Sequence, residues 1–233
     1  MNQCELDKMT DAVYFWLQKT GMINHDAIRL LEHSIAQPSF YEDNHAAFAR
    51  NAEVYSLLKR EFNEGPVTEN PVVCRRFASF YGMRFVSVAG KRTFFQKMEL
   101  LRNNHDGLDA RLLTVELKPE MGQYQFSFVT KMLNLLDDET YPVYDSQIAT
   151  VFQIPFVPDE TRLDRQEAIY RDVTDTYTAL REHAAITDFR TRFNCPEMGT
   201  MKVLDALFWR LGKMLDQDGL ELSPSEYLGN QVQ

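Results

Sequence analysis

The chain has little of what marks the specialised classes of protein. Its three cysteines, Cys4, Cys74 and Cys195, lie far apart with no Cys-x-x-Cys spacing, which excludes a disulfide framework and a four-thiolate zinc or iron–sulfur site. The five histidines, His25, His33, His45, His105 and His183, form neither H-x-x-x-H nor H-E-x-x-H, so no metal site is expected from them. No apolar run reaches the ~18 residues of a membrane span. The first twenty residues scatter Glu5, Asp7, Lys8, Asp11 and Lys19 among their hydrophobics, a pattern that predicts no signal peptide. There is no internal repeat and no low-complexity tract. These absences fit a reducing cytoplasm and a protein with no membrane partner.

What is present is the composition of an ordinary folded domain. With 44% hydrophobic, 25% charged and 12% aromatic residues, the chain has the apolar content to bury a core and stands apart from disordered sequences. Its 233 residues fit a single domain near the upper end of the usual size. The periodicity is helical nearly throughout. Leu6, Met9, Val13, Trp16 and Leu17 mark a helix from about Leu6 to Lys19, with Gly21 as its stop and Asn24 as the next cap. Ala27, Ile28, Leu31 and Ile35 share one face of a second helix, and Phe48, Ala52, Tyr55, Leu58 and Phe62 mark a third from His45 to Phe62.

Further helices are predicted over VVCRRFASFYG, from Lys91 to Arg102, from Leu108 to Leu117, and at about 127–136, 146–153, 161–183 and 200–215. Residues 84–89, in RFVSVAG, alternate like one short β segment. The expected architecture is all-α and compact, a two-lobed helical domain over residues 1–217. An N-terminal helical lobe covers about 1–66, and the central and C-terminal helices cover about 67–217. The polar stretch 218–233 reads as a loosely held tail.

Charge is unevenly distributed. The net charge of −9 argues against indiscriminate nucleic-acid binding by the whole surface. Yet Val72 to Arg102 carries seven basic residues, Arg75, Arg76, Arg84, Lys91, Arg92, Lys97 and Arg102, against one acid, Glu99. Six aromatics lie in the same stretch: Phe77, Phe80, Tyr81, Phe85, Phe94 and Phe95. Basic and aromatic side chains together hold phosphates and stack bases. The same pattern also describes a core-facing aromatic stripe with a solvated basic back.

The segment that can carry chemistry is SFVTKMLNLLDDETYPVYDSQIATVF, residues 127–152. Thr130-Lys131 reads as the first turn of an apolar helix, and Pro142-Val143-Tyr144-Asp145 leads into the next one. A lysine at one helix start and an aspartate at the following one are thereby aimed at a common cleft. In this arrangement the segment resembles the helix-hairpin-helix DNA glycosylases, whose lyase-active members place a Thr-Lys or similar pair at a helix start and a Pro-x-Asp element after it.

The resemblance implies a helical fold, DNA as partner and base excision without a cofactor. Lys131 matches the lysine that attacks C1′, and Asp145 matches the aspartate that activates it and stabilises positive charge on the sugar. Arg75, Arg76, Arg84, Lys91 and Arg92 become candidate contacts to the DNA backbone. The chemistry is coherent, because a fixed carboxylate stabilises an oxocarbenium-like transition state and a buried lysine at a helix N-terminus is partly neutral.

The chain also departs from the family's pattern. Ser127, Phe128 and Val129 stand where the family has the glycines that admit a phosphate, and Lys131 and Asp145 are about one helical turn closer in sequence. No iron–sulfur cysteine set follows. Other readings of the same residues stay open: Asp145 as a plain N-cap, Lys131 as a solvated lysine, and the whole chain as a non-enzymatic helical protein that binds a protein partner.

Overall fold

The computed structural model describes residues 23–104, 106–153 and 161–217. The helix expected at Leu6 to Lys19 and the tail 218–233 lie outside the described residues. Among the described residues the chain is all-α, with no strand. In order the helices are α1 (His25–Ile35), α2 (Pro38–Asp43), α3 (His45–Asn63), α4 (Pro71–Phe80), α5 (Val88–Leu101), α6 (Ala110–Met121), α7 (Phe126–Leu136), α8 (Ser146–Val151), α9 (Arg162–Ala179), α10 (Ala184–Arg192) and α11 (Thr200–Gln217).

Most of these helices start where a polar side chain satisfies the free amides of the first turn. Asn24 accepts from the Ala27 amide, Asn70 from Val72 and Val73, Ser87 from Gly90, and Asp109 from Leu112. Thr161 and Asp164 cap α9 reciprocally, and the His183 ring caps α10. The helix expected over 161–183 ends at Ala179, and α10, which starts at Ala184 behind the His183 cap, is a helix that the periodicity had not predicted.

The apolar stripes read from the sequence face inward. Phe48, Ala52, Tyr55, Leu58 and Phe62 of α3 are all buried, as are Phe94, Phe95 and Met98 of α5. α7 is different, because Val129 through Leu136 are buried on every side. A helix apolar all round belongs in the centre of a domain, and α7 is that centre. α11 comes close to this state, with Met201 through Phe208 buried. Gly212 brings α11 against α8 at backbone distance: a Cβ there would lie 2.1 Å from the Gln147 carbonyl oxygen.

The β segment expected near residues 84–89 is absent. Gly82 turns the chain at φ +73°, Val86 alone of its neighbours is buried, and Ser87 caps α5, which begins at Val88. The alternation that suggested a strand comes from a turn with one inward valine. α6 also runs further than expected, through Pro119 to Met121, and ends on the left-handed Gly122.

Candidate active site

Two polar side chains one turn apart on α7 fix the loop that follows it. Thr130 Oγ1 accepts from the Tyr144 amide at 3.0 Å, and Asn134 Nδ2 donates to the Tyr141 carbonyl at 2.7 Å. Asp137 begins the loop by accepting from the Glu139 and Thr140 amides. Tyr141, Val143 and Tyr144 are buried, and Tyr141 accepts from the Leu108 amide through its hydroxyl at 2.9 Å. The segment leading to Asp145 is therefore held along its length by α7 and by packing.

Asp145 is the N-cap of α8. Its Oδ1 accepts from the Gln147 and Ile148 amides at 2.9 and 3.1 Å, which leaves Oδ2 to face Lys131 Nζ at 4.0 Å. The structure thus brings together the two residues singled out in the sequence, and Asp145 takes the capping role at the same time. Lys131 is not in the first turn of its helix. Phe126 and Val129 extend the buried stripe of α7 one turn toward the N-terminus, so Lys131 stands in the second turn, where the helix dipole acts less on it.

Lys131 is 8% exposed. Its amine donates to Ser127 Oγ at 3.0 Å and lies 5.6 Å from the centre of the Tyr81 ring. Burial pushes its pKa below the ordinary lysine range, against the opposing pull of Asp145 and Asp205; the nearby charge of Lys202 adds to the lowering. The neutral amine a nucleophile requires is favoured here by desolvation. Ser127, one turn before Lys131 on α7, is the hydrogen-bond partner of this amine.

A second lysine–aspartate pair adjoins the first. Lys202 Nζ and Asp205 Oδ2, one turn apart on α11, are 2.5 Å from each other and nearly sealed from solvent. Lys202 Nζ lies 5.7 Å from the centre of the same Tyr81 ring, so that ring is shared by both amines. Burial raises the pKa of Asp205, with Lys202 opposing and Asp145 reinforcing the shift. Asp205 Oδ1 and the hydroxyls of Tyr81 and Tyr177 are buried with no hydrogen-bond partner.

Neither Lys202 nor Asp205 was singled out in the sequence, because a Lys-x-x-Asp spacing on an amphipathic helix has the look of a solvated pair. Asp138 was missed as well. It joins α3 to the start of α11 by accepting from Tyr55, Lys59 and the Gly199 amide.

The basic segment divides. Arg76 is forked onto Glu61, Lys97 pairs with Glu116, and Arg102 pairs with Glu99 and donates to the Phe62 and Gly65 carbonyls. Arg75, Arg84 and Arg92 are exposed, Lys91 is half-buried, and none of these four makes an ion pair with a described carboxylate. Arg76 is thereby a structural residue, while Arg75, Arg84, Lys91 and Arg92 are left unneutralised by the described carboxylates.

Lys131 and Asp145 do not line the cleft between α3 and α4, the cleft between α6 and α9, or the cleft beside Lys59 and Phe193. No group of histidine, cysteine or carboxylate side chains suited to a metal ion occurs among the described residues, and no described helix is long and apolar enough to cross a membrane. No protein-family model, curated protein or solved structure matches the chain.

Proposed function

We propose that the chain is a DNA-glycosylase-like protein in which Lys131 is the nucleophile and Asp145 its electrostatic partner. The observation that carries this reading is the 4.0 Å approach of a desolvated Lys131 amine to a carboxylate whose other oxygen is fixed by two backbone amides. Such a carboxylate is preorganised, and it needs no rearrangement as positive charge develops on a sugar. The lone pair of Nζ forms a bond to C1′ as the glycosidic bond breaks, and the bonding electrons leave with the base, which takes up one of the two protons that Nζ loses. The C1′–O4′ bond then breaks as Nζ and C1′ form an imine, and O4′ takes up the other proton. Arg75, Arg84, Lys91 and Arg92 supply cations for the phosphate backbone.

Borohydride reduction in the presence of DNA carrying an abasic or damaged nucleotide tests this. The expected result is a covalent protein–DNA adduct that Lys131→Gln abolishes while helical content is unchanged. An adduct that persists in the variant would remove Lys131 from the chemistry. A second reading is favoured by the shelter of the Lys131 side chain: a non-enzymatic helical protein whose lysine–aspartate pair clamps α7 to α8. Absence of both adduct and released base across a panel of lesions would select it.

A further inference from the structure

The cleft between α3 and α4, closed at one end by Trp209 of α11, has a lining unlike the rest of this acidic chain. Its volume of about 880 Å³ is within the range of small-molecule sites. Arg50, Arg75 and Arg76 line it, and none of its lining residues is a carboxylate. Arg76 is held by Glu61, whereas Arg50 and Arg75 are exposed and make no ion pair with a described residue. Phe80 and Trp209 are half-buried and offer aromatic surface, and Lys213 Nζ lies 5.5 Å from the centre of the indole. Asn51, also in the lining, has its side-chain oxygen buried with no hydrogen-bond partner. A buried acceptor without a donor is costly unless a ligand or water supplies one.

We propose that this cleft binds a nucleoside phosphate. The phosphate sits on Arg50 and Arg75, where the guanidinium forks match its oxygens. The base lies against Trp209 and Phe80. The nucleotide is either free or one unit of a single strand, since both present the same phosphate and base edge. The Phe80 ring that lines the cleft also lies 5.6 Å from Lys202 Nζ, so one aromatic side chain stands between the cleft and that buried amine. The inference does not depend on Lys131 chemistry.

Titration calorimetry on the full chain tests it, with adenosine monophosphate, adenosine, uridine monophosphate and a short oligo(dA) as probes. Adenosine monophosphate is expected to bind, adenosine to bind at least about tenfold more weakly, and affinity to fall as salt rises. Arg50→Glu with Arg75→Glu should weaken binding by about tenfold or more, with the circular dichroism spectrum unchanged because both residues are exposed. Lys131→Gln should leave binding intact, which separates this site from the excision chemistry. Binding of oligo(dA) but not of the monophosphate would assign the nucleotide to a strand. Uridine monophosphate is expected to bind more weakly than adenosine monophosphate, because its smaller base stacks less on Trp209 and Phe80; equal affinity would overturn the stacking contact. No heat with either the monophosphate or the oligonucleotide, or unchanged binding by the double variant, would overturn the site.

Discussion

The two lysine–aspartate pairs at the centre of the molecule use the same groups to opposite ends. Lys202 and Asp205 sit on one helix at 2.5 Å, with 2% and 6% of their side chains exposed. Lys131 and Asp145 sit on different elements at 4.0 Å, with 10% and 17% exposed. A tight pair neutralises itself and leaves neither charge for a third party. A loose pair leaves its amine easier to deprotonate than an ordinary lysine and its carboxylate directed at the space between them. What distinguishes the candidate reactive pair is therefore separation and partial access, both of which follow from Asp145 being tied to the start of α8 while Lys131 is tied to Ser127.

The largest test of this contrast is removal of each carboxylate. Asp205→Ala leaves Lys202 buried without its partner, which is expected to cost about 3–5 kcal/mol. Asp145→Ala should cost only the lost cap, about 1 kcal/mol. Urea denaturation of the two variants measures the difference. Equal losses would mean that the pairs are equivalent and that the looser one has no special status.

The comparison also shows what could be read from the residues alone. Lys131 and Asp145 were legible because each stands beside a helix signal, an apolar run for one and a proline-led entry for the other. The helical stripes of α3 and α5 were legible for the same reason, since each has a polar side to contrast with its apolar one. α7 lacks that contrast, and the amphipathic pattern of α11 counts Lys202 and Asp205 among its polar residues although both are buried. When a helix is buried all round, the sequence cannot tell an inward charge from a solvated one, and Lys202 and Asp205 were lost there. Asp138 was lost because its partners, Tyr55, Lys59 and Gly199, are more than fifty residues away. The false strand at 84–89 arose because a two-residue alternation is too short to separate a turn with one buried valine from a β segment.

A second test moves one pair and spares the other. Gly212 lets α11 lie on the Gln147 backbone, so Gly212→Ala must push α8 away from α11. The expected cost is about 1–3 kcal/mol of overpacking. The Lys202–Asp205 pair lies within α11 and should persist, whereas Asp145 travels with α8 and its contact with Lys131 should open. Thermal melting gives the stability change, and the borohydride adduct, where the wild type forms one, should fall by about tenfold from the misplacement. An unchanged adduct would show that the 4.0 Å approach does not matter.

A smaller effect follows from the depressed pKa of Lys131. The unfolded chain binds this proton up to the ordinary lysine range, while the folded chain releases it at lower pH. Stability therefore rises with pH across the window between the two values. Lys131→Met should flatten that slope and change stability at neutral pH by about 1 kcal/mol or less, because a desolvated and loosely paired charge contributes little. Denaturation curves over a series of alkaline pH values provide the check. A slope that survives the substitution would place the titrating group elsewhere.

The smallest stability effect is expected from Asp145→Asn, and it decides between capping and chemistry. The asparagine oxygen accepts from the Gln147 and Ile148 amides as the carboxylate does, so the start of α8 should be kept and stability should change by only a few tenths of a kcal/mol. The negative charge 4.0 Å from Lys131 is lost. If that charge stabilises a sugar cation, base release should slow by about 10² or more. Removing it also removes the opposing pull on the Lys131 pKa, which should shift further down. The pH profile of adduct formation should then begin at lower pH even as its plateau falls. A purely structural Asp145 predicts neither change, since asparagine fills the cap and no reaction depends on the charge. The combination of an intact fold, a lowered plateau and an acid-shifted onset is specific to a carboxylate that acts on the reacting centre and on the lysine together.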